Sequence, residues 1–158
     1  LIPPKDRMQE YWKDSTPYED FIVQDVLPAL RANAPISGDA HDIYVGGASL
    51  GGLISMRLAE RYAEHIAGGV HSQSGAFWAS PGVFAKSALM RLDPTIKLFI
   101  DWGRYEGVLT VSNDRMTDAL RRLFKPHGTY VTGEGHNWSA WRARFANGIE
   151  YLFGAPSG

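Results

Sequence analysis

Short apolar runs and longer stretches of helical spacing alternate along this chain. Residues 16–30 set Phe21, Ile22, Val26 and Leu30 on one side of a predicted helix, with Ser15 or Thr16 as N-cap and Pro17 just inside. Pro28 is expected to kink or shorten that helix near its end, because proline lacks an N–H and crowds the preceding turn. A loop at 34–39 leads into a strand at 42–46, and residues 53–63 form a helical run. Residues 66–72 read as a short buried strand, and 74–87 as a loop-rich stretch holding Phe77, Trp78, Pro81 and Phe84. A clear strand covers 95–103. The spacing over 114–127 predicts an amphipathic helix with Met116, Leu120, Leu123 and Phe124 inward and Gly128 as its stop. A strand at 129–132 and a helix over 137–153 follow. Strands that alternate with helices predict an α/β fold with a mainly parallel sheet.

Chemistry enters at the junction of the first strand and the second helix. Gly47-Ala48-Ser49-Leu50-Gly51 fits the G-x-S-x-G pattern, in which a serine sits on a sharp strand-to-helix turn. A side chain at Gly47 or Gly51 is expected to collide with backbone as the chain folds back on itself. With 17 glycines in 158 residues the pattern alone is weak evidence. The apolar strand before it and the helical run after it supply the context that the chemistry needs. Ser49 is therefore the candidate nucleophile, and the backbone N–H of Leu50 the candidate oxyanion donor.

A serine nucleophile needs a base, usually histidine, and a carboxylate that orients it. His65 and His127 lie near predicted helix C-termini, where the helix dipole alone accounts for them. His41 precedes the elbow strand and His71 lies in or just after a strand. His136 stands apart, in a glycine-flanked loop between the last strand and the last helix, at the sheet's carboxyl end where such folds place their chemistry. Two carboxylates compete for the third role. Asp101 lies in the last residues of the 95–103 strand, whereas Glu106 sits on the loop just beyond, freer to reach His136, and is preferred. Glu134 is too near His136 in sequence to be the first choice.

Composition narrows the alternatives. A chain of 158 residues, 44% hydrophobic and 12% aromatic, reads as one globular domain. Sixteen basic residues against seventeen acidic ones leave a formal charge of −1, and pairs such as Arg121-Arg122 suit a solvated helix face, so nucleic acid is not an expected partner. The absence of cysteine excludes disulfides, a thiol nucleophile and cysteine-based zinc sites. No H-E-x-x-H is present, and neither metal nor cofactor is expected. No apolar run has membrane-span length, so no membrane association is expected. A soluble protein is expected, with the cytoplasm slightly favoured but the compartment open.

Four blocks carry a resemblance: residues 46–53, 71–78, 100–107 and 135–142, in that order. Together they resemble the esterase D-like family of α/β-hydrolases, which includes enterochelin, feruloyl and acetyl-xylan esterases, S-formylglutathione hydrolases and mycolyltransferases. Ser72-Gln73-Ser74-Gly75 followed by Phe77-Trp78, and His136-Asn137-Trp138 followed by Trp141-Arg142, are most similar to the enterochelin-esterase branch. The resemblance covers nearly the whole chain and implies Ser49 as nucleophile, His136 as base and Glu106 as acid. It also implies that residues 1–158 are a single, partial α/β-hydrolase catalytic domain lacking the first strands and one loop of the oxyanion hole. About a hundred further residues normally precede the point matching Leu1 in such domains.

The expected function is cleavage of a small-molecule carboxylic ester through an acyl-enzyme. The alternatives are a catalytically impaired partial hydrolase that acts through association with another chain, and acyl transfer to an alcohol. An unpaired sheet edge predicts a homo-oligomer that covers it. Trp78, Trp102, Trp138 and Trp141 are candidate walls of an aromatic acyl or catecholate pocket, though core packing accounts for each equally well. Arg142 and Arg144 are expected on a solvated helix face. The ester itself is left open.

Overall fold

A computed structural model describes residues 4–154. Four strands, β1 (Tyr44–Ala48), β2 (Gly69–Gln73), β3 (Lys97–Gly103) and β4 (Gly128–Thr132), form a fully parallel sheet in the order β1-β2-β3-β4. Helices α3 (Leu50–Arg61), α5 (Val108–Arg122) and α6 (Trp138–Phe153) make the crossovers or follow the last strand. The predicted α/β class with a mainly parallel sheet is what the chain adopts.

Register explains why the strand ends matter. Ala48 pairs with Gln73, Gln73 with Asp101, and Gly103 with Thr132. All four carboxyl ends therefore lie on one side, and the loops that leave them converge there. β2 is buried along its whole length, as expected for a central strand covered on both faces. β1 pairs with β2 on one side, and no strand lies along its other edge among the described residues.

The core joins α3 to the sheet. Leu53, Met56 and Ala59 of α3 are fully buried, as are Leu98 and Ile100 of β3 and Met116 and Leu120 of α5. Each large apolar side chain so buried contributes roughly 1.5–3 kcal/mol.

Five predicted details are corrected. The helical stretch that begins at α1 (Thr16–Phe21) buries Tyr18, Glu19, Val23 and Leu27, whereas Phe21 and Leu30 are 45% and 44% exposed. The cause is a π-helical turn at Ile22–Val26, which widens the spiral and rotates the face that meets the core. That turn sits immediately before Pro28, and the helix continues through α2 (Leu27–Asn33). A wider turn spares the carbonyl that a proline ring would otherwise strike, so Pro28 does not end the helix. Further on, α5 starts at Val108, six residues before the predicted start, and stops at Arg122. Phe124 then adopts a left-handed conformation (φ 54°) and is 92% exposed instead of inward. Gly128 opens β4 and is not the helix stop.

A short helix α4 (Lys86–Leu89) and two 3-10 turns, Phe77–Ala79 and Pro81–Phe84, occupy the stretch predicted as loop-rich. Among the described residues no helix is long and apolar enough to cross a membrane.

Candidate active site

Each strand hands one polar residue to the carboxyl end of the sheet. β1 delivers Ser49, β2 Ser74, β3 the loop with Glu106, and β4 the loop with His136. Ser49 has φ 61° and ψ −121°, a conformation unusual for a residue with a side chain and one that costs on the order of 1–3 kcal/mol. The surroundings hold it there. Its N–H donates to the Gln73 carbonyl at 2.8 Å, and its carbonyl accepts from Ala76 N at 2.9 Å.

The turn is tight because the helix passes directly over the strand end. A Cβ on Gly47 would stand 2.7 Å from the carbonyl carbon and oxygen of Gly51. The predicted clash at Gly51 itself is not found, since a Cβ there meets open space. The second crowded position is Gly52, where a Cβ would lie 2.5 Å from Ser72 Oγ. Leu50 is the first residue of α3, and the first N–H groups of a helix have no acceptor within it.

Ser49, His136 and Glu106 form one hydrogen-bonded chain. Ser49 Oγ lies 3.0 Å from His136 Nε2, and His136 Nδ1 lies 3.0 Å from Glu106 Oε2. A carboxylate beside Nδ1 fixes the tautomer, because it accepts the Nδ1 proton and leaves Nε2 free to accept from the serine hydroxyl. The Glu106 side chain is fully buried and the His136 ring is 31% exposed. The other carboxylate oxygen, Oε1, accepts from the Gly103 N–H at 2.7 Å and from Ser74 Oγ at 2.8 Å. Such an arrangement can pull a proton from a serine hydroxyl and stabilise the imidazolium that results.

Asp101, the competing carboxylate, goes elsewhere. It lies in the middle of a buried cluster, 2.7 Å from His71 Nε2 and 2.7 Å from Arg144 Nε. His71 is packed between Phe99 and Phe145. Glu134 accepts from Arg144 Nη1 at 3.2 Å. His41 is paired with Asp39 at 2.9 Å on the surface, which raises its pKa.

Three residues of the neighbourhood escaped sequence reasoning. Arg144, expected on a solvated face, is 1% exposed and reaches under the sheet's carboxyl end. Ser74, in a left-handed conformation (φ 48°), donates to Glu106 and accepts from Trp141 Nε1 at 3.1 Å and from Arg144 Nη2 at 2.9 Å. Arg7 donates from Nη2 to the Ala48 carbonyl at 3.3 Å, which sets an exposed cation beside the turn that carries Ser49. The signal for Ser74 was its place at the end of a buried strand. Nothing local distinguished Arg7 or Arg144 from solvated cations.

The four tryptophans divide. Trp102 and Trp141 are buried, whereas Trp78 is 41% and Trp138 79% exposed. Trp141 meets the His136 ring edge-on at 4.8 Å, and Trp138 meets Trp141 at 5.1 Å. Trp141 thus backs the histidine while Trp138 stands in solvent next to it. Among the described residues no group of three or more histidine or acidic side chains is placed to hold a metal ion.

Comparisons with known proteins agree with this architecture. The iron(III) enterobactin esterase of Dickeya dadantii is 25% identical over 148 residues, which cover 83% of this chain and 34% of that protein. A crystal structure of the Shigella flexneri enterobactin esterase, determined in the presence of 2,3-di-hydroxy-N-benzoyl-serine, superposes with a TM-score of 0.82 at 21% identity, covering 96% of this chain and 41% of that one. S-formylglutathione hydrolase from Staphylococcus aureus superposes with a TM-score of 0.75 at 18% identity, over 96% of this chain and 70% of that one. The structural likenesses establish the α/β-hydrolase-type fold. The chain spans about a third of the length of the Dickeya relative. A family model described as "Putative esterase" matches residues 5–152, nearly the whole chain, and the chain belongs to that esterase family.

Proposed function

We propose that this chain carries the catalytic chemistry of a serine esterase, acting on a small-molecule carboxylic ester. The observation that carries this reading is the Ser49–His136–Glu106 chain, with both hydrogen bonds at 3.0 Å. Ser49 Oγ attacks the ester carbonyl carbon while His136 Nε2 takes the hydroxyl proton. Glu106 steadies the imidazolium through Nδ1, and the Leu50 N–H donates to the oxyanion. The carbonyl–alkoxy bond then breaks, and the departing alcohol takes the proton from His136. Water, deprotonated by His136, attacks the acyl-Ser49 ester and releases the acid. An aromatic substrate group suits the exposed Trp138 face beside His136, in keeping with the ferulic acid held in complex by the ferulic acid esterase from Anaeromyces mucronatus, a structure of similar fold.

Hydrolysis of p-nitrophenyl acetate and butyrate by the purified chain, beside Ser49→Ala and His136→Ala, tests the proposal. Activity that both substitutions abolish supports it. Folded wild-type protein no faster than the two variants would sink it for simple esters.

One observation favours a second reading. Among the described residues β1 is paired on one side only, and the Leu50 N–H is one donor where such oxyanion sites use two. A chain in this state works through association, either with a second copy or with another polypeptide that covers the β1 edge. Size-exclusion chromatography with light scattering is expected to show a dimer or larger species. A monodisperse, stable monomer would remove the association.

A further inference from the structure

Three carboxylates and one guanidinium meet beneath the carboxyl end of the sheet. Arg144 Nε donates to Asp101 Oδ1 at 2.7 Å, and Nη1 donates to Glu134 Oε2 at 3.2 Å. Nη2 donates to Ser74 Oγ at 2.9 Å and lies 3.6 Å from Glu106 Oε1. The side chains of Asp101 and Glu106 are both 0% exposed, and that of Arg144 is 1% exposed. Two carboxylates so deep in the protein favour their neutral forms unless a cation faces them.

The titratable groups around this cation come from every element packed on it. Asp101 faces it from β3, Glu106 from the loop after β3 and Glu134 from the loop after β4. His71 of β2 reaches it through Asp101, and His136 through Glu106. Glu134 is 39% exposed and so is partly served by water, whereas Asp101 and Glu106 are not.

We infer that Arg144, anchored by Asp101, is a positioning residue that holds Glu106 turned toward His136. The inference rests on the reading of Ser49, His136 and Glu106 as the reacting chain, and it deepens that reading. The guanidinium acts in two ways. Its charge opposes the arrival of a proton on the Glu106–His136 pair. Its planar fork spans Asp101 and Ser74, and Ser74 in turn fixes Glu106 Oε1, so the carboxylate is left with Oε2 for the histidine. His136 takes the Ser49 proton only when its Nε2 carries none, so a weaker field from Arg144, which favours the imidazolium, moves the acid limb of activity to higher pH.

The test uses Arg144→Met and Arg144→Lys in the full 158-residue chain, with two readouts. One is the pH dependence of kcat/KM on p-nitrophenyl butyrate. The other is NMR titration of the His136 ring, which needs no turnover. Arg144→Met is expected to move both the acid limb and the His136 midpoint up by about one pH unit. Arg144→Lys is expected to keep both near wild type while kcat falls roughly tenfold, because the charge stays and the fork is lost. Should Arg144→Met not fold, Arg144→Gln removes the same charge and keeps a hydrogen-bonding head. A folded, neutral variant whose His136 midpoint stays at the wild-type value overturns the inference and leaves Arg144 a merely structural cation. An inactive wild-type chain whose His136 midpoint still responds to Arg144 fails the esterase proposal instead, so the two failures are distinct.

Discussion

The Ser74 hydroxyl donates to Glu106 Oε1 at 2.8 Å, on the side of the carboxylate that faces away from His136. With one proton and two lone pairs, that hydroxyl is fully used, since it also accepts from Trp141 Nε1 and Arg144 Nη2. Ser74→Ala strands both donors in a buried place and releases one of the bonds that orient Glu106. The expected cost is about 1–3 kcal/mol of stability. A fall of roughly tenfold in kcat, corresponding to about 1.4 kcal/mol in the barrier, is expected with little change in KM. Urea unfolding and steady-state kinetics on p-nitrophenyl butyrate check the two effects separately.

Arg7 brings a cation to the Ala48 carbonyl at the end of β1, one residue before Ser49, the nucleophile of the proposed mechanism. Negative charge develops on the substrate oxygen there, and a nearby guanidinium lowers its energy more in the transition state than in the ground state. Arg7→Ala is expected to reduce kcat by roughly 10–100-fold with the fold intact. Unchanged kcat beside an unchanged circular dichroism spectrum would assign Arg7 to the surface alone.

The two elbow glycines should part company under substitution. Gly47→Ala forces a Cβ to within 2.7 Å of Gly51 backbone, which cannot retreat without moving the start of α3. Gly51→Ala adds a methyl group in open space within a helix, where alanine is favoured over glycine by about 1 kcal/mol. Thermal melts should therefore show Gly47→Ala several degrees below wild type and Gly51→Ala at or slightly above it.

Glu60 predicts a dependence of stability on pH. Burial pushes its carboxyl up from the ordinary 4.5 to about 8, against the opposing charges of Arg91 and Arg57. Below pH ~4 the group is protonated in both states and has no effect. Between 4.5 and 8 the unfolded chain releases a proton that the folded chain keeps, so stability falls as pH rises, by up to about 1.4 kcal/mol per pH unit. Glu60→Gln keeps the shape and removes the titration. Its melting temperature should match wild type near pH 4 and exceed it increasingly toward pH 8. Parallel curves for the two proteins would show that Glu60 ionises freely in the fold.

Much of the chemistry was written locally. The elbow is a matter of neighbours, since Gly47, Ser49 and the strand and helix around them lie within twenty residues. His136 betrayed itself by sitting in a glycine-flanked loop at the sheet's carboxyl end, and Glu106 by its loop position just past β3. Those expectations needed only hydrophobic rhythm and the rule that parallel strands gather their ends on one side. The mainly parallel sheet followed from the same alternation, whereas the strand order is read from the structure.

What the sequence by itself determined, then, was the α/β class, the turn that exposes Ser49, and the loops that bring Glu106 and His136 near it. Tertiary structure alone decided that Asp101 pairs with His71 and Arg144 while Glu106 takes His136. It decided too that Arg144 is buried and Phe124 exposed. The reason is physical. A helical period tells which residues share a face, but a charged face is stable against the core only if opposite charges wait there, and Arg144 meets Asp101 43 positions away and Ser74 70 positions away. The π-helical turn before Pro28 likewise rotates a face by an amount that no regular period contains. Partners so distant in the chain become neighbours only when the strands have taken their register, and that register is set by packing summed over the whole sheet.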